Sequence, residues 1–285
     1  MNKLNKAIYT LMAGFCLCTL TSCSSYELLY EYYDDLDGYI VYSQESTVSR
    51  YNLMDSIQIA GLYAYKPVLG ISSYTFYKCS NLRNVALPSN IKQIGAYSFS
   101  ECHSLASIYF PKSLEVIDSC AFKGCALNKV NIPANVNHIG TGAFADCPLE
   151  EITIDYNNSL FDTTKDINAI IHLEDKRLIS GCKNTVIPDY VKTIGAYSFY
   201  GTTLEHIDIP ASVEEILNYA FYNCDSLSEI DIPSTVKCIE DKAFSSNTKV
   251  NYSGTISEFL GIYQCTESGA KGLTITCSDG SYTYS

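Results

Sequence analysis

The sequence predicts a solenoid: short parallel strands stacked in a right-handed coil, with turns of 22–23 residues and irregular coils at both ends. Three observations carry that expectation. Phe76, Phe99, Phe122 and Phe144 are spaced by 23, 23 and 22 residues, and Phe199, Phe221 and Phe244 resume the series at 22 and 23. Three residues after each Phe stand Cys79, Cys102, Cys125, Cys147, Thr202, Cys224 and Asn247. Each unit then passes a Leu, or Val250 in the last copy, and runs into an alternating stretch such as VNIP or IDIP. A fixed period of this length means stacked units that each contact their neighbours. Alternation with period two marks a short strand, and Pro closes it because Pro has no N–H for the ladder.

The N-terminus reads as a targeting segment, residues 1–22. Lys3 and Lys6 precede an apolar run from Ala7 to Leu20. That run of fourteen residues is too short to span a bilayer, so a secretion signal is the better reading. Leu20-Thr21-Ser22-Cys23 resembles the lipobox of bacterial lipoproteins. The resemblance implies cleavage before Cys23, a lipid on its thiol and, with Ser24 following, sorting to the outer membrane. Residues 23–38 then read as the lipidated Cys and a short tether, although apolar and aromatic residues from Leu28 onward suggest that order begins early. The carboxylates of Asp34–Gly38 invite comparison with a calcium loop, but the rest of such a loop is missing and a charged turn fits better. No metal and no cofactor are expected.

One domain is expected over 39–285. Its first coil, from Ile57, is irregular. Regular repeats fill 74–155 and 186–250. In them Gly95, Gly140 and Gly195 follow the closing Ile and suggest a turn with positive φ. Between these blocks, 156–185 reads as a widened coil, with a hairpin around Glu174-Asp175. Residues 251–285 read as a cap that shields the open end of the core.

The repeated cysteines answer to packing. Equivalent residues of stacked coils lie about 4.8 Å apart, and Cys serves as a small buried hydrophobe. Cys79, Cys102, Cys125, Cys147, Thr202, Cys224 and Asn247 are thus expected to form a structural ladder of reduced thiols and polar substitutes. Cys265 and Cys277 are the best-placed pair for a disulfide in an exported chain.

The repeat unit AFKGCALNKVNIPANVNHIG, Ala121 to Gly140, resembles the BspA-like or Treponema-type leucine-rich repeats of bacterial surface proteins. The resemblance extends from about Ile57 to the C-terminus. It implies a leucine-rich-repeat solenoid of eight or nine coils, roughly 40 Å long at the strand spacing, and a role in binding at the cell surface.

Composition narrows the partners. With 19 Lys and Arg against 31 Asp and Glu, the formal charge is −12. That argues against sequence-independent nucleic-acid binding and against docking on an anionic membrane surface. None of His103, His138, His172 and His206 belongs to a catalytic or metal-binding motif, so no enzyme is expected. What remains is the exposed side of the strands. One column is Asn84, Ser107, Lys129, Glu151, His206 and Glu229; the next contains Tyr109, Asn131, Thr153, Asp208 and Asp231. The second half of this face is acidic, which suits a basic partner. The resemblance implies an adhesin for a host matrix or cell-surface protein. The alternatives are a structural scaffold of the cell envelope and glycan capture, in which Tyr109, Tyr200 and Tyr222 stack on sugars.

Overall fold

The computed structural model describes residues 28–43, 53–264 and 272–284. The expected signal segment, Cys23 and Cys265 lie outside them. The chain opens with an antiparallel hairpin, β1 (Leu29–Tyr33) and β2 (Gly38–Tyr42), joined by a 3-10 turn at Asp34–Leu36 that closes with Asp37 in the left-handed region. The tether reading of 23–38 therefore runs too far. Aromatic-rich β1, with Tyr30, Tyr32 and Tyr33, favours extended chain, and the turn carboxylate of Asp37 is held by Lys66 and the Tyr32 hydroxyl.

Next come β3 (Ser56–Gln58) and a second hairpin, β4 (Leu62–Tyr63) and β5 (Lys66–Ile71). The repeats add β6 (Asn84–Ala86), β7 (Gln93–Ile94), β8 (Val116–Ile117), β9 (Lys129–Ile132), β10 (His138–Ile139) and β11 (Glu151–Ile154). A third hairpin, β12 (Ala169–His172) and β13 (Arg177–Gly181), turns at Leu173–Lys176 as the alternation around Glu174-Asp175 predicts. Then follow β14 (Thr193–Ile194), β15 (Glu215–Ile216), β16 (Glu229–Ile232), β17 (Cys238–Glu240) and β18 (Lys249–Tyr252). The far end is closed by α1 (Ile256–Ile262), β19 (Tyr263–Gln264), β20 (Thr274–Cys277) and the antiparallel β21 (Gly280–Thr283). Thr255 and Glu258 form a reciprocal capping box at the start of α1.

These strands make two parallel layers of a solenoid of about nine turns. One layer contains β3–β6, β9–β11 and β16–β18–β20; the other runs β2–β5–β7–β8–β10 and then β13–β14–β15–β17–β19. In β9 and β16 the burial alternates strictly, with Val130, Ile132, Ile230 and Ile232 inward.

A third side is a corner built on the Phe. Successive rings stack at 5.1, 5.3 and 5.7 Å from Phe76 to Phe144, and at 5.0 and 6.0 Å from Phe199 to Phe244. Around each ring the backbone bonds to the next coil at every second residue: Tyr97 N–H to Ser119 O, Phe99 to Ala121, and Glu101 to Lys123. Alternate bonding of this kind satisfies buried amides without a regular strand.

Positive φ occurs at this corner, but not where the glycines suggested. Tyr74, Tyr97, Cys120, Gly142, Tyr197, Tyr219 and Lys242 take it, two residues beyond the expected turn position. Gly95, Gly140 and Gly195 serve another purpose. A Cβ on Gly95 would lie 2.6 Å from Ser73 N, and one on Gly140 would run into the Ser119 backbone. Coils approach too closely there for a side chain.

The third hairpin divides the interior. Ile170 belongs with the first core cluster, whereas Ala169, Ile171 and Leu178 belong with the second. β12 is thus buried on both faces, as a septum. This coil lacks a Phe corner, so the neighbouring corners meet directly, with Asp146 N–H donating to Tyr200 O at 2.7 Å. Gly181 lies against the Phe199 ring, where any Cβ would collide with it.

Candidate binding faces

The thiol ladder is closed to ligands. Cys79, Cys102, Cys125, Cys147 and Cys224 are all buried and carry free thiols. Each of the last four donates Sγ–H to the carbonyl of the Phe in the preceding regular coil: Cys102 to Phe76, Cys125 to Phe99, Cys147 to Phe122 and Cys224 to Phe199, at 3.0–3.2 Å. That geometry explains the fixed offset from Phe. Burial pushes the Cys79 and Cys147 thiols up to about 12 and that of Cys224 up to about 11. Such thiols are poor nucleophiles. Thr202 follows the septum coil, and its hydroxyl donates within its own coil, to Phe199 O at 2.9 Å. Asn247 does not join the ladder: it is exposed, and the buried Thr248 beside it donates to Leu227 O rather than to a Phe carbonyl. Cys277 carries a free thiol as well.

On the exposed side of the strands the two predicted columns come together as aligned rows. Lys129 and Glu151 are register partners and pair at 2.7 Å. Glu229 and Lys249 are partners likewise, at 3.8 Å, and Asn251 donates to Asp231 at 2.9 Å. Asn84 lies opposite Ser56 and donates to its hydroxyl at 3.5 Å. Asn131 and Thr153 face each other across β9 and β11, and the Thr153 hydroxyl turns inward to Val130 O. Ser107 and Tyr109 lie in an extended segment outside the strands; the Tyr109 side chain is 77 % exposed. His206 Nε2 approaches Asp208 at 3.0 Å, with both side chains open to water. The acidic half is thus partly compensated along the coils, and on this face the carboxylates of Asp208, Glu229 and Asp231 remain exposed to water.

The sequence reading missed a second face, on the corner. Tyr197 stacks on Tyr219 at 4.8 Å and Tyr200 on Tyr222 at 6.0 Å, with Lys123 over Tyr200 and Lys242 over Tyr219. Tyr74 and Tyr97 repeat the arrangement at the other end, at 4.9 Å. The signal was present: these Tyr stand two residues before, or one after, the repeated Phe. Their ring faces are already taken up by one another and by Lys, which weakens the case for Tyr200 and Tyr222 as sugar platforms. Between the two groups, Glu101 binds the His103 ring at 3.3 Å. Burial and the neighbouring Glu101 together raise the Asp146 carboxyl above its usual range. Where β10 ends and the septum begins, a cleft of about 190 Å³ opens among His138, Thr141, Arg177 and Gly195. Among the described residues, no cluster of three or more His, Cys, Asp or Glu is arranged to hold a metal.

The coil length, the Phe–Cys offset and the paired strand layers can now be set beside known proteins. Residues 46–171 and 178–265 match the BspA type leucine-rich repeat region, in six copies. The chain belongs to that family. Its fold is similar to a leucine-rich repeat protein from Eubacterium ventriosum (TM-score 0.61, 20 % identity, 85 % of this chain and 74 % of the other). It is also similar to the pneumococcal vaccine antigen PcpA (TM-score 0.55, 21 % identity, 79 % and 66 %). A leucine-rich cell surface protein from Faecalibacterium prausnitzii matches at a TM-score of 0.44 and 18 % identity, over 86 % of this chain and 99 % of the other. None of the curated proteins matches the sequence. The matching family is a repeat region, with no catalytic family indicated.

Proposed function

We propose that this BspA-type protein is a surface-anchored adhesin. In this reading a lipid on Cys23 holds it at the cell surface, on the outer membrane, and the exposed strand face contacts a host matrix protein or another cell. The observation that carries the reading is the open acidic patch of Asp208, Glu229 and Asp231, with Asp208 96 % exposed on its side chain. Charges displayed on a repeating scaffold speed encounter and select a basic partner. An extended repeat surface suits protein contact.

The test is binding of the protein to immobilised matrix proteins and glycans, beside two variants. Asp208→Asn/Glu229→Gln/Asp231→Asn should lose saturable, salt-sensitive binding. Glu151→Gln should keep it, because Glu151 is neutralised by Lys129. Binding to glycans alone, lost with Tyr109→Ala, would support sugar capture instead. No binding to either class, with envelope proteins captured by crosslinking, would favour the scaffold reading.

A further inference from the structure

The two ends of the solenoid are finished differently. Among the described residues, seven of the fourteen exposed large apolar side chains fall between positions 32 and 65, against two after position 251. Terminal coils ordinarily turn a polar face outward for solubility. The far end obeys that rule and the near end does not.

The near end is an aromatic collar. Tyr30 stacks on Tyr63 at 4.3 Å, Tyr63 meets the edge of Tyr39 at 5.0 Å, and Tyr39 meets Tyr32 at 5.2 Å. These residues tie β1, β2 and the β4–β5 hairpin together. At the tip of that hairpin Ala64 and Tyr65 both have positive φ, at 46° and 64°, and the Tyr65 side chain is fully exposed. Residues with a Cβ adopt this conformation at a cost, and a turn needing it ordinarily uses Asn or Gly. Here the turn presents a phenol ring to the outside, with Leu62 exposed just before it. The collar's one described cation, Lys66, is tied to Asp37, and Glu31, Asp34 and Asp35 stand exposed around the rim.

We infer that this collar rests on a phospholipid bilayer of zwitterionic, amine-bearing headgroups and sets the solenoid's orientation on the membrane. The inference depends on the lipid anchor proposed above. Leu28 stands five positions after Cys23. Fully extended, those five steps span at most about 18 Å, so an anchored chain cannot hold this end far from the headgroups. Tyr is favoured at that depth because its ring is apolar and its hydroxyl is wet. The acidic rim suits ammonium-bearing headgroups and is repelled by anionic ones.

The chain has no Trp, so a single one reports its surroundings cleanly. The full lipidated protein is reconstituted in vesicles of phosphatidylethanolamine and phosphatidylcholine containing headgroup-region quencher lipids. The reporters are Tyr65→Trp and Leu62→Trp, with Tyr156→Trp, 83 % exposed, as the distant control. Flotation and the acyl mass on Cys23 report the anchor separately. We expect Tyr65→Trp and Leu62→Trp emission to shift to the blue and to be quenched about twofold, as at an interfacial position, with Tyr156→Trp unchanged. Replacing part of the lipid by phosphatidylglycerol should weaken the quenching. A lipidated, floating protein whose collar reporters behave like Tyr156→Trp overturns the inference and leaves the anchor standing. An unlipidated Cys23, or failure to float, overturns both. A blue shift that grows with protein concentration in the absence of vesicles would place a second copy there and overturn the membrane reading.

Discussion

The two halves of the solenoid use one repeat and finish it differently. From Phe99 to Phe144 each new coil finds a regular coil before it, and its Cys reaches back to that coil's Phe carbonyl. Phe199 follows the septum, which offers no Phe carbonyl, and there the slot holds Thr202, which bonds within its own coil. At the far end Asn247 leaves the slot, and its neighbour Thr248 bonds instead to Leu227 O. A thiol suffices where a preset acceptor waits in the preceding coil. At an interrupted position the stronger hydroxyl donor is used and finds a local acceptor.

Breaking either stack tests whether the halves are one cooperative unit. Phe122→Ala, in the middle of the first stack, should cost about 3–5 kcal/mol, and Phe221→Ala in the second should cost about as much. If the septum couples the halves, urea unfolding followed by two probes stays a single transition in both variants. Gly181→Ala should cost about 1–3 kcal/mol through the forced contact with Phe199, and should separate the two transitions. Thr202→Val keeps the shape and removes the donor, for about 1 kcal/mol; Cys125→Ala should cost about as much, through the lost Sγ contact and a small void.

The next effect separates the halves by pH. In the unfolded chain the ladder thiols ionise near their ordinary value of 9.0, whereas in the fold Cys147 is held neutral to about 12 and Cys224 to about 11. A raised folded value means stability is intact below pH 9 and is lost as pH rises toward 11–12. The first half carries more of these raised ladder thiols, Cys79, Cys125 and Cys147, so alkaline unfolding should begin there, and Cys147→Ala should blunt it. The smallest effect is at acid pH. Hydrogen bonds from Lys192 and Lys237 push the Glu214 carboxyl down to about 2, so its contribution is present above about pH 4.5 and is lost as pH falls toward 2. Glu214→Gln should flatten that limb of the stability profile slightly, since the side chain is still partly open to water and its ion pairs are screened.

Much of this was legible in the sequence. Phe, Cys, Leu and Pro in phase give the coil length and the strand position, and the break between Phe144 and Phe199 marks the hairpin. Less legible was anything set by a neighbour rather than by the period. Gly95 and Gly140 read as turn residues, but they answer to the backbone of the coil beside them. Asn247 held the right offset, yet it stands exposed while its neighbour Thr248 is the buried one. β1 hid inside a stretch short enough to pass for a tether. The candidate faces were half visible: the strand columns follow from alternation, whereas their pairing along the coils, as in Lys129–Glu151, depends on register. The corner tyrosines were in phase too, but a Tyr column has no chemistry until the corner brings its rings together.

The septum has a mechanical meaning. Tension between the two ends of this rod runs parallel to the hydrogen bonds that join coil to coil, so the bonds are pulled one row at a time rather than sheared together. At the joint one layer passes from β10 to the separate sheet that begins at β12, and the corner there is held by contacts such as Asp146 to Tyr200. A pull transmitted along the axis would open the molecule at that joint first, leaving two closed ladders on either side. The widened coil is thus the natural point of mechanical release, between the two stretches of regular coils.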